Sequence, residues 1–346
     1  MSRWAVVLAG GVGSRFWPLS TSDRPKQLLP LATDKPLLED AVDRLHPIVD
    51  SEHIFILTNA SLTVPIGTVV PDVPRENIIA EPRPAGTAAA LAWAALTIEQ
   101  RDGADAIMIC VHADWAIRDA AKFRDTLMAA EKAALQHHSL VTVGVVPTRP
   151  DPGFGYIQPS DPHTQGASRV RQFVEKPDRA RAQELCNEGF LWNSGIFVWR
   201  VGDFLSEVRA HTPELRQALA VAGDGDARHF FGSVKTPVTV DVGVLERSQK
   251  VMVVPGSFGW DDIGTWAALK RVRDPDEFGN VTKGDVHMLD CLDNVVHAES
   301  GTVVLYGVEN LVVVTQDDIT LVTTADRAVD LKRLLDSLPP GVKPKS

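Results

Sequence analysis

A glycine-rich segment near the start of the chain is the first place where residue types and spacing suggest chemistry. A short apolar run, Trp4–Leu8, leads into the segment Leu8–Arg15, which reads Leu-Ala-Gly-Gly-Val-Gly-Ser-Arg. Glycines after a first strand let backbone amides approach phosphate oxygens, because no Cβ stands in the way. The cations Arg15 and Lys26 flank the loop that follows, and such a pair suits a triphosphate. A phosphate-binding loop is predicted, and an ordinary solvated surface loop is the alternative.

Two common phosphate-binding loops do not fit this segment. A Walker loop ends in Gly-Lys-Ser/Thr, whereas Gly13 is followed here by Ser14 and Arg15. A dinucleotide-binding fingerprint needs a third glycine where Phe16 stands. It also needs an acidic residue near the end of the second strand, where this chain has Thr58-Asn59. The sequence therefore argues against an NAD(P)-dependent oxidoreductase.

Charged residues further along the chain could complete a site. Asp114 follows the apolar run Ala106–Val111, and a residue at the carboxyl end of a strand faces the ligand crevice. Glu175 and Lys176 follow Phe173-Val174, and strand alternation predicts that they lie on opposite faces. The carboxylate can accept sugar hydroxyls and the ammonium can neutralise a phosphate. The alternatives are a helix N-cap for Asp114 and a surface ion pair, worth at most ~1 kcal/mol, for the other two.

Three segments rich in glycine or aspartate could also contribute. Gly153–Ile157 is a tight glycine turn that enters a strand, and a plain β-turn is its alternative reading. Asn193 begins an Asn-Ser-Gly sequence, which is also good chemistry for an Asx turn. Asp261 and Asp262 lie just before Thr265, so Asp262 could instead cap a helix.

These motifs together resemble one enzyme family. The segment Leu8–Leu31 resembles the signature of the sugar-nucleotide pyrophosphorylases. Trp17–Ser20 and Pro25–Gln27 resemble that signature in the mannose-1-phosphate guanylyltransferase branch. Further motifs occur in the family's order and spacing, namely Glu81–Ala89, His112–Trp115, Gly153–Ile157, Phe173–Pro177, Leu191–Phe197 and Gly259–Trp266. The resemblance covers nearly the whole chain.

The resemblance implies a reaction in which a sugar 1-phosphate attacks the α-phosphorus of a nucleoside triphosphate in line and releases pyrophosphate. It implies GTP and mannose 1-phosphate as substrates and Mg²⁺ as the cofactor. Arg15 and Lys26 would be catalytic, and Asp114 and Asp262 would bind the metal. The residues implied for the nucleotide are Leu8, Ala9, Gly10, Gly11, Gly13, Ser14, Glu81, Pro82, Gly86 and Thr87. Those implied for the sugar phosphate are Gly155, Glu175, Lys176 and Asn193.

The chain departs from the family pattern in two motifs. His112 and Trp115 replace the usual Pro and His beside Asp114. In the segment that lies by the base, Ala85, Gly86 and Ala89 replace the usual Arg, Asn and Pro. Two alternatives therefore stay open. One is the same chemistry on another base or on a heptose or glucose type of sugar phosphate, and the other is a non-catalytic, nucleotide-binding regulatory paralogue.

The elements that must position these residues follow from apolar periodicity. Buried strands are predicted at Trp4–Leu8, His53–Leu57, Ala106–Val111 and Leu140–Val146, and helices at Pro36–Leu45, Thr87–Glu99 and Ala120–His137. This alternation predicts an α/β fold, a Rossmann-like, mostly parallel sheet with helices on both faces. We also predict a helix start with Thr212 as the N-cap.

The hydrophobic pattern of the sequence changes near residue 280, where short apolar runs recur about every eight residues. We predict a catalytic domain over 1–281 and a small unit over 282–346 with a terminal helix, Ala325–Leu338. The small unit resembles the family's short left-handed β-helix domain.

The net charge, the length of the apolar runs and the cysteine spacing argue against several other classes of protein. The net charge of −10 argues against a nucleic-acid partner. No apolar run reaches the roughly 18–20 residues of a membrane span, and the N-terminal run has no cleavage site, so a cytoplasmic location is expected. Three distant cysteines, Cys110, Cys186 and Cys291, indicate neither a disulfide framework nor a zinc site. The oligomeric state stays open, with a homodimer among the options.

Overall fold

The computed structural model describes residues 1–11, 14–161, 166–339 and 341–342. The strands are β1 Arg3–Leu8, β2 Ile54–Asn59, β3 Ile78–Glu81, β4 Ile107–His112, β5 Ala116–Ile117, β6 Leu140–Val145, β7 Tyr156–Pro159, β8 Ser168–Val174, β9 Leu191–Arg200, β10 Val251–Gly256, β11 Trp260–Asp261, β12 Val281–Leu289, β13 Val295–Tyr306, β14 Leu311–Gln316 and β15 Ile319–Thr324. The α-helices are α1 Leu37–Leu45, α2 Thr63–Val69, α3 Thr87–Asp102, α4 Ala120–His137, α5 Arg179–Asn187, α6 Val201–His211, α7 Arg216–Val221, α8 Ala227–Ser233, α9 Leu269–Val272 and α10 Leu331–Ser337.

A nine-stranded sheet with the order β3-β2-β1-β4-β9-β6-β10-β8-β7 forms the centre of the molecule. The strands β1 to β4 pair in parallel, as do β6 and β10. In contrast, β9 runs antiparallel to its neighbours β4, β6 and β7, and β8 runs antiparallel to β10 and β7. The sheet is therefore mixed, which corrects the prediction of a mostly parallel one. Between β6 and β10 the chain adds three strands with only the nine-residue helix α5 among them, and short connections produce antiparallel neighbours.

Helices cover both faces of this sheet, as predicted. In β1, Ala5 and Val7 pack into one core with α1 and α4, whereas Trp4, Val6 and Leu8 pack into another with α3, α6 and α8. Burial on both faces explains why β1 is an unbroken apolar run. The predicted strands at His53–Leu57, Ala106–Val111 and Leu140–Val146 correspond to β2, β4 and β6.

A helical segment does begin after Thr212, but the predicted cap is wrong. The Thr212 side chain makes no cap hydrogen bond to the 3₁₀ turn Pro213–Leu215. Its hydroxyl instead donates to the carbonyl of Gly243 at 2.8 Å, because the residue is buried against that segment. Thr212 therefore ties two segments together.

The C-terminal strands form a coil. In β13, Val295 pairs in parallel with Val281, 14 positions earlier, and in β14 Val312 pairs with Val295, 17 positions earlier. Parallel strands joined by such short segments stack one turn of chain on the next. The last strand, β15, closes the sheet antiparallel to β14. This is compatible with the expected β-helix, whose left-handed sense stays a prediction. The terminal helix is shorter than predicted, with a 3₁₀ turn Arg327–Asp330 before α10.

Buried asparagines link the turns of this coil. The Asn294 amide donates to Asn280 Oδ1 at 3.0 Å and to the Val308 carbonyl at 3.1 Å, and its oxygen accepts from the Leu311 amide at 2.9 Å. Asn294 is fully buried. Each hydrogen bond therefore satisfies a backbone or side-chain group that water cannot reach.

The C-terminal sheet packs against the loop that carries the predicted catalytic cations. One apolar cluster contains Phe16, Trp17, Leu29, Val295 and Val314, among others. The predicted boundary near residue 281 is therefore crossed by a continuous core. No helix in the described parts of the chain combines the length and apolarity that crossing a bilayer requires. All three cysteines are free thiols.

Replacing Asn294 tests the asparagine linkage. We expect Asn294→Ala to lower the free energy of unfolding by roughly 2–3 kcal/mol, because buried donors and acceptors lose their partners. Urea unfolding measures this loss. Asn187→Ala, at an exposed position that ends α5, should change stability by less than about 0.5 kcal/mol. Equal stability of the two variants would contradict the stabilising role of the asparagine linkage.

Candidate active site

The glycine segment after β1 presents its backbone to open space. A Cβ built at Gly10 or Gly11 would meet no atom of the described residues within 4 Å, and Gly11 has a positive φ of 95°. The carbonyl of Ala9 beneath them accepts hydrogen bonds from Gln27 at 2.8 Å and Thr58 at 3.2 Å. Hydrogen bonds to the Ala9 carbonyl therefore hold one side of the segment, and the side of Gly10 and Gly11 where a Cβ would stand is open. Gly13 and the side chain of Ser14 lie outside the described residues.

Lys26 lies where the loop and two later motifs meet. Its ammonium is 3.0 Å from Asp114 Oδ2 and donates to the Asp262 carbonyl at 2.5 Å. Lys26 is only 7% exposed, whereas the Asp114 side chain is 36% exposed. The ammonium is therefore held in one place by groups that follow β4 and β11, and Asp114 keeps a solvent-facing side.

Arg15 approaches the same point from the other side of the loop. Its Nη1 lies 3.4 Å from the Gly264 carbonyl. A Cβ on Gly264 would lie 3.2 Å from Asp262 Oδ2 and 3.6 Å from Arg15 Nη1, so the absence of a side chain leaves the two groups close to each other. The structure therefore brings Arg15, Lys26, Asp114 and Asp262 together at the mouth of the glycine segment.

The two aspartates do not act as helix caps. Helix α4 is capped by Asp119, whose side chain accepts from the Lys122 amide at 2.9 Å. The turn after Asp262 has Thr265 at its N-cap position. Both cap alternatives considered for Asp114 and Asp262 are therefore wrong.

The chemistry of the donor set fits a divalent metal. Burial raises the pKa of Asp262, Lys26 lowers it, and the charges of Asp261 and Asp114 raise it further. A cation shared by Asp114 and Asp262 would relieve this repulsion. No group of three or more metal-binding side chains occurs in the described parts of the chain. Two carboxylates suit Mg²⁺, which keeps waters and takes its other oxygens from substrate phosphates.

A cleft of about 430 Å³ opens beside this cluster. Its walls include His112, Trp115, Phe154, Gly155, Glu175, Lys176, Asn193, Asp241, Glu246, Trp260 and Asp262. The structure thus brings all four residues expected at the sugar phosphate into one cleft with a metal-site candidate. The walls combine aromatic rings with carboxylates.

Glu175 and Lys176 do not lie on opposite faces of a strand, which corrects that prediction. Strand β8 ends at Val174, and Lys176 has a positive φ of 41°, so the chain turns instead of alternating. The two side chains form an exposed ion pair and both line the cleft. A Cβ at Gly155 would lie 2.9 Å from Glu175 Oε2, so Gly155 and this carboxylate are close neighbours in the cleft.

Asn193 makes the expected Asx contact and a second one. Its Oδ1 accepts from the Gly195 amide at 3.3 Å, and its Nδ2 donates to Asp241 Oδ1 at 2.8 Å. The side-chain amide is therefore oriented by both sides of the cleft.

Sequence reasoning missed two acidic residues of the cleft, Asp241 and Glu246. They lie in and just after a short π-helical turn, Asp241–Leu245. Burial raises the pKa of Glu246, and the charges of Asp241 and Glu175 raise it further. A signal was present, since Asp241 interrupts the apolar run Val238–Leu245.

The segment expected beside the base is tied to the same region. The Thr87 hydroxyl accepts from the Val240 amide at 2.9 Å, and Gly86, with φ 85°, abuts the Val238 backbone so closely that no Cβ would fit. Glycine at position 86 thus has a steric reason. Pro82 is exposed, and burial raises the pKa of Glu81 to about 7.

His112 is half-buried in the cleft wall and packs on Trp115, with ring centroids 4.8 Å apart. Burial lowers the pKa of His112, the charges of Asp114 and Asp241 oppose this, and the imidazole is neutral near pH 7. The two departures from the family pattern beside Asp114 therefore form one aromatic pair.

Comparison with known proteins identifies the family of the chain. The model of the nucleotidyl transferase family matches residues 4–277. The chain belongs to the nucleotidyl transferase family. It is 34% identical to the alginate biosynthesis protein AlgA of Pseudomonas putida, over 96% of this chain and 71% of the relative. It is 33% identical to the mannose-1-phosphate guanylyltransferase RfbM of Salmonella typhimurium, over 98% and 73%.

A solved structure matches the fold of nearly the whole of this nucleotidyltransferase chain. A crystal structure described as mannose-1-phosphate geranyltransferase from Thermus thermophilus matches with a TM-score of 0.90 and 33% identity. It covers 97% of this chain and 99% of the other. The chain is thus a nucleotidyltransferase of the sugar-phosphate type with the nucleotide-diphospho-sugar transferase fold, and the family generally uses a divalent metal.

Glu81 generates a prediction about stability and pH. Its raised folded pKa means that its contribution to stability is complete below pH 4.5 and is lost as the pH rises through 7. We expect Glu81→Gln to be more stable than the unsubstituted protein at pH 8, by about 1–2 kcal/mol after allowing for partial exposure. The difference should vanish at pH 4.5. Urea unfolding at both pH values measures it, and a pH-independent difference would contradict the assignment.

Proposed function

We propose that the protein transfers GMP from GTP to mannose 1-phosphate, giving GDP-mannose and pyrophosphate. The observation that carries the proposal is the meeting of Lys26, Asp114 and the Asp262 backbone between the open glycine segment and the 430 Å³ cleft. A triphosphate over Gly10 and Gly11 would place its phosphates beside the cations. A sugar phosphate in the cleft would then face the α-phosphorus.

Positioning and charge neutralisation provide the catalysis, and no protein nucleophile is needed. Lys26 and Arg15 neutralise charge on the triphosphate. Asp114 and Asp262 would hold Mg²⁺, which would supply further neutralisation of the phosphate oxygens. Because Lys26 is already hydrogen-bonded and buried, little reorganisation is needed when charge shifts toward the leaving pyrophosphate.

The sugar phosphate is held by the far wall of the cleft. Lys176 neutralises the phosphate, and its release from the ion pair with Glu175 frees that carboxylate to accept sugar hydroxyls. Asn193, oriented by Asp241, contacts another hydroxyl. Leu8, Ala9 and the glycines hold the nucleotide, with Glu81, Pro82, Gly86 and Thr87 on the side of the base.

Pyrophosphate release tests the reaction and its specificity. We expect release with GTP, mannose 1-phosphate and Mg²⁺, loss of release on chelation with EDTA, and recovery on adding Mg²⁺. Pairs that combine ATP or glucose 1-phosphate serve as controls. Release only with another pair would discard the guanine and mannose assignment and retain the chemistry. Folded protein that releases pyrophosphate with no pair would favour the regulatory paralogue.

Lys26→Ala tests the catalytic role of the buried ammonium. Turnover should fall about a hundredfold to a thousandfold, the loss typical of removing one preorganised charge donor. Asp114 is partly exposed and can be solvated, so the melting temperature should change by only a few degrees. Lys122→Ala, on the surface of α4 with a 69% exposed side chain, is the matched control. Turnover of Lys26→Ala near that of the control would exclude the role.

A further inference from the structure

Two polar residues on β13 of the C-terminal sheet, His297 and Glu299, face residues 16–26, the segment that ends at Lys26. His297 is completely buried, and the Glu299 side chain is 28% exposed. Neither residue lines the cleft or the glycine segment. Glu299 instead contacts residues 16–26 directly, through Arg24, and His297 contacts them through Glu299 and Trp266. Residues 16–26 are called the signature loop.

Glu299 holds the second half of the signature loop. Arg24 Nη2 donates to Glu299 Oε1 at 2.9 Å, and His297 Nε2 lies 3.1 Å from Glu299 Oε2. Burial lowers the pKa of His297 to about 4, so the imidazole is neutral near pH 7 and donates its proton from Nε2. Burial opposes ionisation of Glu299, but the hydrogen bonds from His297 and Arg24 lower its pKa. Each carboxylate oxygen thus has its own donor.

His297 also reaches the first half of the signature loop. Its ring packs against Trp266, with centroids 5.7 Å apart. The Trp266 indole donates to the Trp17 carbonyl at 3.1 Å, and its ring packs against Phe16 at 5.1 Å. The Phe16 ring in turn lies 5.9 Å from the ammonium of Lys26. The buried imidazole of His297 therefore contacts both Glu299, which binds Arg24, and Trp266, which contacts Phe16 and Trp17.

The geometry points to His297 and Glu299 as positioning residues that hold Lys26 in place for nucleotidyl transfer. Arg24 is two residues from Lys26, so release of the Arg24–Glu299 pair frees the backbone next to the buried ammonium. The second nitrogen of His297, Nδ1, is buried and has no hydrogen-bond partner among the residues that the structure describes. A phenylalanine would avoid this unsatisfied acceptor, but it could not orient Glu299.

The first readout of this proposal does not depend on activity. The accessibility of Lys26 is measured by timed acetylation with an amine-reactive ester and site-resolved mass spectrometry. We expect slow labelling in the unsubstituted protein, and labelling roughly tenfold faster in Glu299→Ala and in Arg24→Ala. Arg24→Lys, which keeps a cation opposite Glu299, should restore most of the protection. Lys270, a part-buried lysine on α9 with a 23% exposed side chain, reports any general loosening.

The second readout rests on the proposed function. We expect the turnover number of Glu299→Ala and Arg24→Ala to fall roughly tenfold to a hundredfold with little change in KM, as for a misplaced catalytic group. The double variant should be no worse than either single variant, because both remove one contact. Glu309→Ala removes an exposed glutamate from the same C-terminal unit and is the matched control, with labelling and turnover unchanged.

The two readouts separate the two proposals. Unchanged labelling of Lys26 in both single variants, or an equal rise at Lys270, overturns the positioning role whatever happens to turnover. Faster labelling confined to Lys26 supports it, even if the unsubstituted protein turns over none of the substrate pairs. In that case the proposed function fails and the positioning of the loop stands.

Discussion

The buried ammonium of Lys26 is the constraint on which the rest of the site depends. A cation removed from water must have partners, and here they are a carboxylate just after β4 and a carbonyl beside β11. These elements are distant in sequence, and β11 pairs with β5 outside the central sheet, so Lys26 is satisfied only when β4 and the β5–β11 pair are both in place. The same contacts place the ammonium beside Asp262, whose pKa is raised by burial and by the charges of Asp261 and Asp114. Folding therefore assembles a concentration of charge that phosphates and a metal ion can balance.

The C-terminal sheet contributes to this constraint even though it provides no group to the cleft. Its strands share a core with Phe16, Trp17 and Leu29, which lie on both sides of Lys26 in the sequence. A loop of this length would otherwise be mobile and would cost conformational entropy to order. Packing it against a coil that is itself linked by buried asparagines removes that cost before the substrate arrives. This explains why a small β unit is joined to the catalytic sheet by a continuous core.

Much of the site could be predicted because its residues follow a general rule. The carboxyl ends of strands meet at one edge of a sheet, so motifs after β1 and β4 converge there. The orientation of Lys176 could not be predicted, since it depends on a left-handed backbone angle immediately before a proline. The mixed sheet was missed because apolar periodicity identifies strands but not their directions. Asp241 was missed because its role depends on Asn193, which is distant in sequence.

The distribution of charge in the cleft bears on what it can bind. Glu175, Asp241 and Glu246 bring three carboxylates together, and their repulsion contributes to the raised pKa of Glu246. The cation of the same wall, Lys176, is paired with Glu175. A sugar with several hydroxyls can donate to the carboxylates, while its phosphate separates Lys176 from Glu175. A sugar without a phosphate would leave Lys176 paired with Glu175, so that this carboxylate would not be free for hydroxyls, and a phosphate without hydroxyls would leave the carboxylates without donors. The wall therefore favours a ligand that is both polyhydroxylated and phosphorylated over a free sugar or a simple phosphate.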